Sequence, residues 1–226
     1  MKNPNRKADI RRAADGLENR ADTLVIVDSK SGTAAKYAEW ISEALGTDMV
    51  PATRKYLGYS SIYRNVIYIG GVRDCELNHL GLLQQNYENF NLGGRHIIVV
   101  AVGVGDPTDT YLKKIISYNY LEEFGDSFYY LPGKVDVENR KSMEEALISK
   151  CVKNLPKLYV KEDAEIIFDR LVNGYDGVNR GNIQPIVDEI LAIRNNSANV
   201  EATVEDGDSP EPETTNADSA EAREEK

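Results

Sequence analysis

Residues 23–41 have the sequence TLVIVDSKSGTAAKYAEWI. Residues 23–27 form a nearly continuous apolar run of the length expected for a buried central strand of a parallel sheet. A polar turn follows, and residues 33–45 then carry apolar side chains at helical spacing. Gly46 comes directly after them, where a helix typically ends. The stretch therefore predicts a strand, a tight turn and an amphipathic helix.

Strands and helices alternate five times over about 130 residues of the chain. This alternation is typical of an α/β fold in which a doubly wound parallel sheet carries helices on both faces, with right-handed crossovers between strands. The further predicted strands are 48–52, 66–69, 96–102 and 127–131, and the further predicted helices are 77–90, 108–124 and 141–152.

The sequence divides into four segments. Residues 1–22 are a polar N-terminal extension, and residues 23–155 are the sheet domain, which we expect to end at Pro156. Residues 156–195 contain two further predicted helices, 162–172 and 183–193, whose apolar faces are too small for a core of their own. We therefore expect this helical extension to pack on the domain.

Residues 196–226 contain ten acidic and two basic residues, so they carry −8 of the net charge of −10. They contain no aromatic residue, and such a composition cannot bury enough apolar surface to offset the entropy of ordering, so we expect a disordered acidic tail. The rest of the chain is nearly neutral, which argues against a nucleic-acid partner. It also contains no apolar run long enough to span a membrane.

The few cysteines and histidines exclude several site chemistries. Cys75 and Cys151 lack CxxC spacing, and His79 and His96 have no ligand neighbours at helical spacing, so we expect no metal site and no serine triad. Two free thiols suit a reducing compartment, and we expect a cytoplasmic protein. No residue stands out as a catalytic acid or base.

The turn at residues 29–34 is a candidate phosphate site. In a doubly wound sheet, ligands bind beyond the carboxyl ends of the strands, where N–H groups at a helix N-terminus attract anions. The turn lacks both the Walker loop and the three spaced glycines of a dinucleotide site, which leaves a mononucleotide phosphate. The alternative is that Ser31 is no more than a helix N-cap.

Residues 27–38 (VDSKSGTAAKYA) resemble the FMN-phosphate loop of flavodoxins. Four more segments are similar to the flavodoxin-domain family that includes menaquinone-dependent protoporphyrinogen dehydrogenase: 65–72 (NVIYIGGV), 92–104 (LGGRHIIVVAVGV), 128–136 (FYYLPGKVD) and 178–186 (VNRGNIQPI). The resemblance covers about residues 23–193 and implies a flavodoxin-like five-stranded parallel sheet of order 2-1-3-4-5 with a C-terminal helical extension.

The resemblance implies FMN as cofactor, held in three loops after Val27, Ile69 and Val102. The residues implied to bind it are Ser29, Lys30, Ser31, Gly32, Thr33, Ala34, Gly70, Gly71, Val72, Arg73, Val102, Gly103, Val104 and Gly105.

The chain departs from the family pattern at several of these positions. Ala34 replaces a loop threonine, and the second loop has no aromatic ring to stack on a flavin. Arg73 could stack there or be solvated, while Asp136 and Arg140 could reach the site or form a surface ion pair.

The implied function is an FMN-binding flavodoxin-like redox protein. It would act in electron transfer or as a quinone-linked oxidoreductase, with porphyrinogen oxidation as one family activity, and its partner would be a redox protein or a quinone. The alternative is a flavodoxin-fold binding or regulatory module that no longer holds flavin tightly. A response-regulator receiver is set aside, because Asp28 is a single acid and the third parallel strand is followed by Gly70-Gly71 rather than an aspartate.

Overall fold

The computed structural model describes residues 22–29, 32–140 and 142–205, with only the backbone of 198–205. Five parallel strands form the central sheet in the order β2-β1-β3-β5-β6. Counted as parallel strands alone, this is the order 2-1-3-4-5, so the predicted doubly wound, flavodoxin-like α/β fold is confirmed. The strands are β1 (Thr23–Val27), β2 (Asp48–Pro51), β3 (Asn65–Arg73), β5 (His96–Gly103) and β6 (Ser127–Pro132).

Three short strands lie outside this parallel order. β4 (Glu76–Leu77) pairs antiparallel with the end of β3. β7 (Lys134–Val135) and β8 (Tyr175–Asp176) pair with each other in a small second sheet. This second sheet joins the segment after β6 to the segment that precedes the last helix.

Helices connect the strands, and several differ in length from their predictions. They are α1 (Thr33–Leu45), α2 (Arg54–Leu57), α3 (Leu80–Gln84), α4 (Asp109–Tyr118), α5 (Ser142–Leu158), α6 (Lys161–Asn173) and α7 (Gln184–Glu205), with 3-10 turns at Gly58–Ile62 and Arg180–Ile183. The long helix predicted over 77–90 is wrong, since β4 and the short α3 occupy its first half. His79, with φ of 64°, interrupts the helical backbone between them.

Pro156 does not end its helix, because α5 continues through it to Leu158. A proline removes one hydrogen bond to the carbonyl four residues earlier, which the last turn of a helix tolerates better than its middle. Leu155, directly before it, is buried in the core. The predicted helix end at residue 152 is therefore six residues short.

Helices cover both faces of the sheet. On one face, residues such as Leu24 and Tyr68 share a buried cluster with Ile115 of α4, Leu155 of α5 and Ile167 of α6. Successive strand residues point to opposite faces, so the neighbours of those strand residues belong to the other face. The strand residues of this second face are also buried. Helix α1 contacts β1 and β3, and Ile186 and Ile190 of α7 are fully buried.

The chain divides into two compact units, Met1–Leu191 and Ala192–Lys226. Of the second unit the structure describes residues 192–205, which are helical. All of the predicted N-terminal extension except Asp22, and most of the predicted acidic tail, lie outside the described residues. Within the described part of the chain, no helix is both long and apolar enough to cross a membrane.

Candidate functional site: a cleft at the carboxyl edge of the sheet

A cleft of about 760 Å³ opens where β1, β3 and β5 end side by side. Its volume lies within the range of about 300–1,000 Å³ typical of small-molecule sites. The three predicted loops converge on it, together with the segment after β6 and helix α5. Ten of the residues predicted to bind a cofactor line it: Ser29, Gly32, Thr33, Ala34, Gly71, Val72, Arg73, Val102, Gly103 and Val104.

The turn after β1 presents the N-terminus of α1 to the cleft. Two predicted loop residues, Lys30 and Ser31, lie outside the described residues. Gly32 is the N-cap residue of α1, with φ of 85°. Because glycine has no side chain, the N-cap residue itself donates and accepts no side-chain hydrogen bond at the start of the helix. The first-turn N–H groups have no carbonyl partner within the helix, and the first turn contains no acid, so the positive end of the helix dipole is not neutralised there. This end of the cleft therefore favours an anion.

Asp28 joins the first two loops. Its Oδ2 accepts hydrogen bonds from the Gly71 N–H at 2.9 Å and from the Asn78 side chain at 3.3 Å. Its Oδ1 is buried at the cleft wall and has no hydrogen-bond partner among the described residues, which do not include Lys30 and Ser31 of the same turn. Since an unpaired buried carboxylate oxygen is costly, this atom marks a place where a ligand donor would be stabilised.

The second predicted loop is a β-hairpin. The prediction that its strand ends at Ile69 is wrong, because β3 continues to Arg73 and pairs with β4. The two turn residues, Asp74 and Cys75, both have positive φ, of 50° and 69°. Two-residue hairpin turns of this kind are normally marked by Asn-Gly or Asp-Gly, and Asp74-Cys75 does not match either pattern.

The hairpin fixes which of its residues reach the cleft. Val72 and Arg73 line it, while Asp74 does not and instead accepts a hydrogen bond from Asn154 of α5 at 3.0 Å. Behind the turn, the buried side chain of Asn119 donates to the Cys75 carbonyl at 2.7 Å and accepts from the Leu77 N–H at 2.8 Å. The wall of the cleft is therefore held from behind by hydrogen bonds.

Gly70 and Gly105 were predicted to contact the cofactor but do not line the cleft. Each lies against a buried tyrosine ring instead. A Cβ at Gly70 would stand 2.8 Å from Tyr68, and one at Gly105 would stand 2.4 Å from Tyr111. Core packing thus explains these two glycines.

Sequence reasoning missed the wall formed by α5, whereas in the segment after β6 it named Asp136 and Arg140 as residues that could reach the site. Leu147, Ile148 and Cys151 of α5 line the cleft, as do Lys134 and Arg140. The apolar positions of the predicted helix could have suggested a buried face, but not which surface it covers. Among the described residues, Asp136 and Arg140 form no ion pair, although both line the cleft.

Neither thiol is activated. Burial raises the pKa of Cys75, and burial together with the Asp74 carboxylate raises the pKa of Cys151, so both are protonated at neutral pH. Within the described ranges, no group of three or more His, Cys, Asp or Glu side chains could hold a metal ion.

No protein-family model matches the chain, and no curated protein matches it. Among solved structures, the Trp repressor binding protein from Bacillus subtilis is 16% identical with a TM-score of 0.41, over 62% of this chain and 98% of that one. The flavodoxin of Streptococcus pneumonia TIGR4 is 16% identical with a TM-score of 0.36, over 55% of this chain and 94% of that one. A flavodoxin from the domain Archaea is 10% identical with a TM-score of 0.35, over 67% of this chain and 96% of that one. Since each TM-score is below 0.5, nothing about function follows from them, and the fold rests on the strand order.

Proposed function

We propose that the chain is an FMN-binding redox protein of the flavodoxin-like fold. The observation that carries this proposal is the cleft at the strand carboxyl ends, which combines a helix N-terminus that begins at Gly32 with an apolar region. Ligands of doubly wound sheets bind at this position, where the strand order reverses. A phosphate at one end and a flat ring system along the other would match the two halves of the cleft.

The phosphate end is formed by the start of α1. The backbone there supplies N–H donors, and Gly32 has no side chain to obstruct an anion. Ser29, Thr33 and Lys36 also line the cleft. Ala34 supplies a methyl group where the resemblance implies a further hydroxyl, so the backbone donors carry more of the binding.

The ring end is apolar. Val72, Val102 and Val104 line it at the ends of the strands. These side chains would exclude water from a flat ligand and hold it by dispersion contacts. Bound FMN would supply the electron or hydride transfer, while the protein supplies binding and orientation.

The first test is a visible absorption spectrum of the purified full-length protein, followed by titration of FMN with flavin fluorescence as readout. A yellow protein, or quenching with a sub-micromolar dissociation constant, supports the proposal. A colourless protein that does not quench FMN fluorescence refutes it.

The substitution Thr33→Asp tests the phosphate end. An added carboxylate in the first turn of α1 interacts favourably with the helix dipole and should stabilise the fold by about 0.3–1 kcal/mol. The same carboxylate would repel a bound phosphate. We expect FMN affinity to fall at least about tenfold, which is about 1.4 kcal/mol. Riboflavin lacks the phosphate, so its affinity should change less than about twofold, and titration of both ligands provides the comparison.

Thr110→Asp is the matched control, because Thr110 is an exposed threonine in the first turn of α4 and does not line the cleft. It adds the same charge to the same kind of position. Equal losses of FMN affinity in both variants, or equal losses for FMN and riboflavin in Thr33→Asp, would place the phosphate elsewhere.

A binding or regulatory module without tight flavin binding is the second candidate. One observation favours it: no aromatic side chain is among the described residues that line the cleft. Aromatic stacking contributes about 0.5–1.5 kcal/mol beyond buried area, so its absence weakens a ring site. A dissociation constant for FMN above about 100 μM corresponds to a binding free energy weaker than about −5.5 kcal/mol. Such a value would favour the binding or regulatory module over the FMN-binding redox protein.

A further inference from the structure

Arg140 is a partly buried cation at the wall of the cleft. Its Nη2 donates to the Leu171 carbonyl, and its buried Nε has no hydrogen-bond partner in the part of the chain that the structure describes. Among the described residues it forms no ion pair. A partly buried guanidinium with an unused donor is stabilised by an anion that completes its hydrogen bonds.

The other cations of the cleft are in a different situation. Lys134 is paired with Asp176 at 2.8 Å. Lys36 is exposed and lies over the Trp40 ring at 4.9 Å, and Arg73 is exposed on the hairpin. Arg140 therefore differs from them in combining partial burial with an unsatisfied donor.

Asp136, an acid that lines the same cleft, does not compensate for this charge. Asp136 accepts hydrogen bonds from the backbone N–H groups of Glu138 and Asn139, at 3.0 and 3.2 Å, and from the Asn139 side chain. Its carboxylate is thus engaged within its own turn. Arg140 itself lines the cleft.

Apolar side chains surround the same part of the cleft. Leu147 and Ile148 come from α5, and Leu171 comes from α6. A phosphate or other dianion would lose much hydration against these walls, whereas a single carboxylate matches the charge of one guanidinium, and its apolar body would match the walls.

We propose that this part of the cleft binds a second ligand, an apolar molecule with a single carboxylate, which Arg140 pairs with while Leu147 and Ile148 contact its body. The assignment of a second ligand rests on the proposed function, because FMN would occupy the part formed by the three loops. It adds a substrate or acceptor class to the proposed redox protein.

Hexanoate is the probe, titrated by calorimetry into the full-length protein with and without saturating FMN. We expect hexanoate to bind at least about tenfold more tightly than 1-hexanol, because the alcohol cannot pair with the guanidinium. It should also bind at least about tenfold more tightly than acetate, because each buried methylene increases affinity several-fold.

Arg140→Gln should weaken hexanoate binding at least about tenfold. Arg180→Gln is its matched control, since Arg180 is exposed, pairs with Glu43 and does not line the cleft. It changes the net charge equally and should alter hexanoate affinity less than about twofold. If Arg140→Gln does not fold, Ile148→Ser tests the apolar wall, and the ligand comparisons on the unchanged protein still decide.

Several results would overturn the assignment: no heat of binding for hexanoate at 10 mM, equal affinities for hexanoate and 1-hexanol, or equal losses in the two arginine variants. If FMN binds and hexanoate does not, the second ligand fails while the proposed function stands. If hexanoate binds through Arg140 and FMN does not bind, the carboxylate site stands and the flavin function fails.

Discussion

At the scale of one residue, Gly105 packs directly against the ring of Tyr111, and this contact requires the absence of a side chain. A Cβ built there would stand 2.4 Å from the ring of Tyr111, which is 2% exposed and has no room to move. Gly105→Ala should therefore destabilise the protein by about 2–3 kcal/mol through overpacking, as measured by urea unfolding.

Gly81→Ala is the control for that substitution. Gly81 lies within α3, and its Cβ would meet nothing nearer than 3.9 Å. Alanine stabilises a helix relative to glycine, so this variant should be neutral or more stable by up to about 1 kcal/mol. Comparable stability of the two alanine variants would contradict the packing role of Gly105.

At the scale of one element, the β3–β4 hairpin depends on a buried amide. Asn119 is 6% exposed and bonds both the Cys75 carbonyl and the Leu77 N–H. Asn119→Ala would leave both backbone groups without these partners, so we expect a loss of about 2–4 kcal/mol in the free energy of unfolding. Hydrogen exchange of the Leu77 amide should accelerate, because its hydrogen-bond acceptor is gone.

Asn89→Ala is the matched change at an exposed asparagine, whose amide bonds only the Asn86 side chain, at 3.3 Å. It should alter stability by no more than about 0.5 kcal/mol. Unchanged protection of the Leu77 amide in Asn119→Ala would show that other contacts hold the hairpin.

Elements with a strong local pattern can be predicted from this sequence. The apolar runs of β1, β3 and β5 are buried on both faces of the sheet, and that burial produces the pattern. The hairpin could not be predicted, because Asp74 and Cys75 adopt positive φ only with support from distant residues such as Asn119. Nor could the partial burial of Arg140 at the cleft, since its contact with Leu171 of α6 and the wall formed by α5 are both tertiary.

At the scale of the whole molecule, a polar cluster at the amino edge of the sheet joins α7 to two strands. Glu189 of α7 accepts hydrogen bonds from Ser127 at 2.6 Å and from Tyr129 at 2.7 Å, and it bonds His96 at 2.7 Å. Burial opposes the charged carboxylate, but these bonds outweigh it and lower the pKa of Glu189. Burial and the Glu189 carboxylate in turn raise the pKa of Tyr129 to about 12.

This lowered pKa predicts a pH dependence of folding stability. A carboxyl group whose pKa is lower in the folded state than in the unfolded chain, about 4.3 for Glu, binds more protons when unfolded. The ionised Glu189 carboxylate therefore stabilises the folded state fully at pH values above the unfolded pKa. This contribution is lost as the pH falls through the pKa of Glu189 in the folded state. Glu189→Gln should lower stability by about 1–3 kcal/mol at pH 7, because the amide cannot accept all three bonds.

Urea unfolding of the wild type and Glu189→Gln at several pH values between 7 and 3 would measure this effect. The difference between their free energies of unfolding should be constant above about pH 5 and should shrink below about pH 4, as the wild-type carboxylate becomes protonated. Glu43→Gln removes an exposed carboxylate whose ion pair is solvent-screened, and its difference from the wild type should stay within about 0.5 kcal/mol at every pH. A difference for Glu189→Gln that does not shrink toward pH 3 would show that the side chain stabilises the protein through packing rather than through its charge.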